Sequence, residues 1–260
     1  LAFLADKGAE LFAGSLEDAA FLTSAYRGVD AVFAMIPPHL QAEDYLSYAG
    51  QIGATHVQAL RKADVKYIVA LSSIGAHLES GSGIVLALHN FEQQLQALSD
   101  ANILVLRPSY FMDNVFMQID IIKNFGLVGS PIAPDVSQPF VATQDIGDTT
   151  AKRLSALDFS GHTTEYVLGE RNLSYTEVTG VLAGALHKAG LKYVQFPYSD
   201  TVKAMVRMGL SENIAGLLVD LSEGINNGKV LEEYVRTAEN TTRTSIEEFA
   251  ESFARLFNQE

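Results

Sequence analysis

The 260-residue chain is 48% hydrophobic and 19% charged, the balance of a folded protein with a sizeable core rather than a disordered one. Its 18 basic and 31 acidic residues leave a net charge of −13. That charge repels nucleic-acid phosphates and anionic membranes, and no Lys/Arg cluster reverses it locally. The absence of cysteine excludes disulfides, thiolate metal sites and cysteine nucleophiles.

No apolar run approaches the ~18 residues of a membrane span, and no signal peptide is visible. A cytoplasmic protein without nucleic-acid or membrane partners is expected. The chain starts on Leu1, and "LAFLADKGAE" has the spacing of a helix that ends at Gly8 with no cap before it. It therefore reads as a sequence beginning inside an element.

"AELFAG" is a short strand candidate. "SLEDAAFLTSAYRG" follows as a helix with Ser15 at its N-cap and Gly28 at its close. "VDAVFAMIPP" is an apolar strand stopped by two prolines. "EDYLSYAGQIGATHVQALRKAD" is a helix with Leu46, Ala49, Ile52, Gly53, Val57 and Leu60 near one face. "KYIVALSS", "GIVLALHNFEQQLQALSD" and "NILVLRP" read as strand, helix and strand. The strands are apolar throughout, as strands covered on both faces are, so the series predicts a parallel sheet between helical layers.

Beyond Asn114 the rhythm loosens. "FGLVGSPIAPDVSQPFVAT" holds three of the seven prolines and predicts a loop-rich excursion with short strands. "DIGDTTAKRLSAL" and "SYTEVTGVLAGALHKAG" are helices, with strand candidates "TEYVLG" between them and "KYVQFP" after. The last stretch is helical, and Ser245 with Glu248 forms a capping box for the final helix. The expected fold class is α/β, a Rossmann-like doubly wound parallel sheet with a smaller C-terminal α+β substrate lobe. The domains are expected at 1–125 and 126–260, with some later segments returning to the sheet.

In such a sheet, ligands bind beyond the carboxyl ends of the strands. Three ends matter here: "FAMIPP", "ALSSIG" and "LRPSYFMDN". Met35, Ile36 and Pro37 give apolar walls, Ser72 and Ser73 hydroxyls, and Tyr110, Phe111 and Asn114 mixed aromatic and polar groups. The mixture suits a flat amphipathic ligand such as a nicotinamide ring; the alternative is loop residues satisfying loop backbone. Arg107 before Pro108 reads as a brace to a carboxylate or, alternatively, as a ligand contact.

His89 and Glu92, three apart on one helix face, could act as proton donor and orienter or be structural. The histidines at 39, 56, 77, 162 and 187 show no metal-ligand spacing, and no metal is expected. Only His39, beyond the double proline, sits where a ligand could reach. No Tyr is followed four residues later by Lys, so the proton-transfer pair of ordinary short-chain dehydrogenases is missing. Neither G-x-G-x-x-G nor a P-loop is present, and "GSG" at 81–83 reads as a loop.

Together, "AELFAGSLEDAAFLTSAYRGVDAVFAMIPP", "ADVKYIVALSSIGA", "LHNFEQQL", "LRPSYFMDN", "FVATQDIGDTTAKRL" and "LGERNLSYTEVTGVLAGAL" resemble the NmrA-like family of atypical short-chain dehydrogenases/reductases. The most specific element is Leu106 to Asn114. The resemblance implies an NAD(P)H-dependent oxidoreductase acting on a small quinone-like or other conjugated acceptor, with NADP ahead of NAD. Alternatives within it are a non-catalytic redox sensor or regulatory protein, and a cofactor-less remnant.

By the same resemblance, Ile36, Pro37, Pro38, Ser72, Ser73, Pro108, Ser109, Tyr110 and Phe111 border the cofactor, and Ser15 lies near the adenine. The resemblance also puts Asn114 beside the substrate; His39 is a substrate candidate from its place beyond the double proline, His89 and Tyr110 are the catalytic candidates, and a monomer or homodimer is expected. The sequence departs from the family pattern by lacking its opening glycine-rich βαβ unit of about 30 residues, which seats the pyrophosphate. At about 4.8 Å per strand, that leaves a gap of two strand widths between "AELFAG" and "AVFAMI". A preceding segment is the first expectation. The others are that "AELFAG" moves in to pair with "AVFAMI", or that a second copy fills the gap.

Overall fold

The computed structural model describes residues 2–259. In chain order its elements are α1 (Ala2–Ala5), α2 (Ala19–Tyr26), β1 (Ala31–Ala34), α3 (Tyr45–Lys62), β2 (Tyr67–Leu71), α4 (Leu86–Leu95), β3 (Asn102–Pro108) and β4 (Tyr110–Phe111). Then come α5 (Gln118–Phe125), β5 (Leu127–Ser130), β6 (Gln138–Val141), α6 (Thr143–Ala156), β7 (His162–Val167), β8 (Asn172–Leu173) and α7 (Tyr175–Ala185). The chain closes with β9 (Lys192–Gln195), α8 (Tyr198–Arg207), α9 (Glu212–Asn226) and α10 (Ile246–Gln259). Short 3₁₀ turns precede α4 at Gly83–Val85, precede α5 at Met112–Met117 and follow α9 at Lys229–Leu231.

The main sheet runs in the order β1-β2-β3-β7, and every neighbouring pair is parallel. Side chains alternate between its faces. Val32, Ala34, Ile68, Ala70, Ile103 and Val105 bury one face against α3 and α4, through Ala49, Ile52, Leu60, Phe91 and Leu95. Val69, Leu104 and Leu106 face the other way, toward Ile146 of α6 and Val141 of β6. Helices on both faces explain why these strands carry unbroken apolar runs. The fold class is α/β, as the sequence predicts.

A second core lies beyond the strand tips. There α5, α7, α9 and α10 pack Ile119, Val178, Ile225 and Phe253 around Phe140 and Tyr175. The antiparallel pair β6–β8 and the parallel pairs β4–β6 and β5–β9 belong to this lobe. β7 returns from the later half of the chain to the main sheet, beside β3. Gly169 stands where the chain leaves β7 and crosses β6. It has φ +48, and a Cβ there would lie 1.6 Å from the Phe140 carbonyl oxygen, so only glycine fits.

Two readings of the N-terminal stretch need correction. Residues 9–14 form no strand, and Leu11 and Phe12 are exposed. A strand needs a hydrogen-bonding neighbour, and this segment does not pair with the free side of β1. Among the described residues, β1 has β2 as its one strand partner. The N-cap of α2 is Asp18, not Ser15: its carboxylate accepts from the backbone of Ala20 (2.8 Å) and Phe21 (3.1 Å). Ser15 instead accepts from the backbone N–H of Glu17, inside the preceding turn. The stretch Leu86–Leu95 starts on a 3₁₀ turn rather than as one continuous helix from Gly83.

Candidate active site

β2 and β3 stay in register beyond the end of β2, since Ser72 N–H donates to Leu106 O (2.8 Å) and Ile74 N–H to Pro108 O (2.9 Å). That holds the Ser72–Ser73 pair beside the Arg107–Phe111 corner. Met35, Ile36 and Pro38 arrive from the tip of β1. The three tips, with Gln138 and Pro139 of β6, border a cavity of about 330 Å³, within the range of small-ligand sites. Leu218, Leu221 and Ile225 of α9, with Val230 and Leu231 after it, close the lobe side; Ile84 and Leu88 close a flank.

Among the described residues, the lining carries no Lys, Arg, His, Asp or Glu. Its polar groups are the hydroxyls of Ser72, Ser73, Ser109, Tyr45 and Tyr110 and the amides of Asn114 and Gln138. Ser72 donates to the Glu92 carboxylate, and Ser73 to the Ile74 carbonyl (3.0 Å). Tyr110 accepts from the Tyr175 hydroxyl (3.0 Å). Burial pushes the Tyr110 pKa up against the opposing bonds from Tyr175 and Asn114, and pushes Tyr175 well up. Both phenols keep their protons at neutral pH.

Behind this wall lies an ion network. Arg107 Nε and Nη2 fork onto Glu92 Oε1 (3.0 Å) and Oε2 (2.6 Å), and Nη1 reaches Glu233 Oε2 (2.7 Å) and the Tyr166 hydroxyl (3.1 Å). Burial works against the Arg107 charge, but the bonds and charge of Glu92 outweigh it and raise the guanidinium pKa. Tyr166 is pushed up to about 12, by burial first and then by its bond to Glu233. Arg107 is thus a brace, and it does not line the cavity. Glu233 also ties down the segment that carries Val230 and Leu231.

The residues expected at the site divide. Ile36, Pro38, Ser72, Ser73, Ser109, Tyr110, Phe111 and Asn114 all line the cavity. Pro37, Pro108, His39 and Ser15 do not. His39 packs against the Tyr48 ring (4.9 Å between centroids), and Ser15 lies exposed in the turn before α2. His89 and Glu92 are not a couple: His89 Nδ1 pairs with the Ala76 carbonyl (2.9 Å), while Glu92 serves Ser72 and Arg107.

Gln138, Tyr45 and the α9 leucines were not legible as site residues. The one signal was a polar side chain opening the otherwise apolar run "QPFV". The cavity fits the flat ring end of a nicotinamide dinucleotide, with apolar walls and a polar corner. For the pyrophosphate end, no glycine-rich turn stands at the tips among the described residues.

The same architecture recurs in known proteins. An NAD(P)H azoreductase of Xenophilus azovorans is 30% identical over 217 residues, 83% of this chain and 71% of the relative. The crystal structure of an NADPH-dependent quinone oxidoreductase from Escherichia coli, complexed with NADPH, superposes with a TM-score of 0.81 at 20% identity. It covers 99% of this chain and 87% of that one. A Citrobacter sp. triphenylmethane reductase complexed with NADP(H) gives 0.80 at 18% identity, over 97% of this chain and 86% of its own. The pattern of the NmrA-like family matches residues 1–250. That match runs through the sheet and the lobe that closes over its tips, and the chain belongs to the NmrA-like family.

Proposed function

We infer that the protein is an NAD(P)H-dependent reductase of the NmrA-like type, passing hydride to a small conjugated acceptor of the quinone or azo class. The observation that carries this reading is the meeting of three strand tips, distant in sequence, on one uncharged cavity beneath α9. The quinone oxidoreductase shares the fold, and both it and the azoreductase take a nicotinamide dinucleotide by name.

The bound dinucleotide would supply the hydride. Ile36, Pro38, Ser73, Tyr110 and Phe111 would hold its ring end, and α9 with Val230 and Leu231 would exclude water from the reacting atoms. Ser72, fixed by Glu92, presents its oxygen to the cavity as an acceptor. Tyr110 keeps its proton and offers a hydroxyl to the ligand. Reduction of a quinone or azo group needs no strong protein acid, because solvent can protonate the reduced product on its release. The lack of a Tyr-x-x-x-Lys pair is then no obstacle.

The test is steady-state oxidation of NADPH and NADH against a panel of quinones and azo dyes. Turnover with at least one acceptor is expected. Dinucleotide binding without turnover of any acceptor would replace this reading with that of a redox sensor. If neither dinucleotide at millimolar concentration shifts the melting temperature, dinucleotide binding itself is ruled out.

A further inference from the structure

Gln138 and Ser109 are each 2% exposed, and both line the cavity. Among the described residues, Gln138 Nε2 and Ser109 Oγ have no hydrogen-bond partner. Their backbones are committed: Ser109 N–H donates to Val167 O (3.0 Å), and Gln138 is registered against Leu173 of β8. Ser72, Ser73 and Tyr110, by contrast, have protein partners. A buried amide or hydroxyl donor left without an acceptor is costly to the fold. These two groups therefore stand ready for an acceptor atom that a ligand brings.

We propose that Ser109 and Gln138 form the subsite for the electron-accepting heteroatom of the substrate, and that the substrate is a neutral, flat, conjugated carbonyl or azo compound. The proposal rests on the reductase reading and narrows it. Hydride from a bound dinucleotide would add to the acceptor carbon of a quinone, leaving the dinucleotide oxidised; the π pair would move onto oxygen, which would take a proton from solvent on release of the product. Negative charge grows on that oxygen during the step, and two neutral donors in a dry cavity stabilise it more than they stabilise the ground state. A carboxylate or sulfonate inside the cavity would meet no cation. None lines it, Arg107 is spent on Glu92 and Glu233, and the whole chain carries −13.

The experiment compares wild type with Gln138→Leu and Ser109→Ala. Gln138→Leu should lower kcat/KM for a neutral quinone by at least about tenfold and weaken a redox-inert aromatic ketone by a similar factor. The melting shift produced by NADPH should stay unchanged. Without ligand, Gln138→Leu should melt at or above the wild-type temperature, since it removes an unsatisfied amide; a purely structural Gln would show the reverse. A neutral quinone should also outperform its ring-sulfonated analogue in kcat/KM by at least about tenfold.

Wild-type affinity of Gln138→Leu for the ketone overturns the subsite. Loss of the NADPH shift with ketone binding intact overturns it too, and assigns the amide to the cofactor. Equal kcat/KM for the neutral and sulfonated quinones overturns the neutral-acceptor class. If wild type turns over no acceptor, the reductase reading fails while the ketone measurement still decides the subsite.

Discussion

Arg107 is 8% exposed at the end of β3, facing a Glu92 that is 6% exposed on α4. Charges so deep survive because the fork of guanidinium onto carboxylate satisfies both at once. Removing one partner strands the other, so Arg107→Leu should lose about 3–5 kcal/mol in urea unfolding. The double variant Arg107→Leu, Glu92→Leu should recover part of that loss. Arg107→Lys should not match wild type, because an ammonium cannot make the bidentate contact. At this scale the sequence announces an Arg braced against a carboxylate, but not which one. Helical spacing assigns Glu92 to His89, whereas the packing of α4 on the Ile103–Val105 face of β3 brings Glu92 to Arg107. Gln138 escapes for a similar reason. Its place in the cavity depends on β6 lying beside β4, a long-range pairing that no local pattern encodes.

Helix ends carry much of the legible information, since a cap is written within four residues. The box at Ser245 and Glu248 forms as the sequence predicts: Ser245 N–H donates to Glu248 Oε2 (2.9 Å) and Glu248 N–H to Ser245 Oγ (3.2 Å). Ser245→Ala should cost about 1 kcal/mol, read as a lower thermal midpoint. A second box joins Ser174 to Glu177 at α7, and Asp44 caps α3 through Ser47 N–H (3.0 Å). The side chain of Ser47 holds Asp44 below its usual 3.8, the backbone of Ser174 holds Glu177 below 4.5, and Arg171 holds Glu247 below 4.5. A carboxyl lowered in the folded state stabilises fully above its unfolded value and loses that contribution as pH falls through the folded one.

Burial likewise lowers His56 below 6.5, so the unfolded chain takes that proton first. Melting temperature should therefore decline as pH drops below 6.5, and decline further as it falls below 4.5. A series of melting curves checks it; a profile that stays flat from pH 4.5 down to about 3 would contradict the caps. Where pairing rather than capping decides, as at 9–14, composition suggests a strand and the absent neighbour leaves coil.

For the molecule as a whole, the alternation of apolar runs and amphipathic helices was enough to read a parallel sheet covered on both faces. The lobe was legible only as helices and short strands, because its core joins residues from 74 to 253 that no single window brings together. What ties sheet and lobe together is the crossing at Gly169, where a Cβ would lie 1.6 Å from the Phe140 carbonyl oxygen. Any side chain there must push the chain leaving β7 away from β6, so a single added methyl group would loosen both halves of the molecule at one seam.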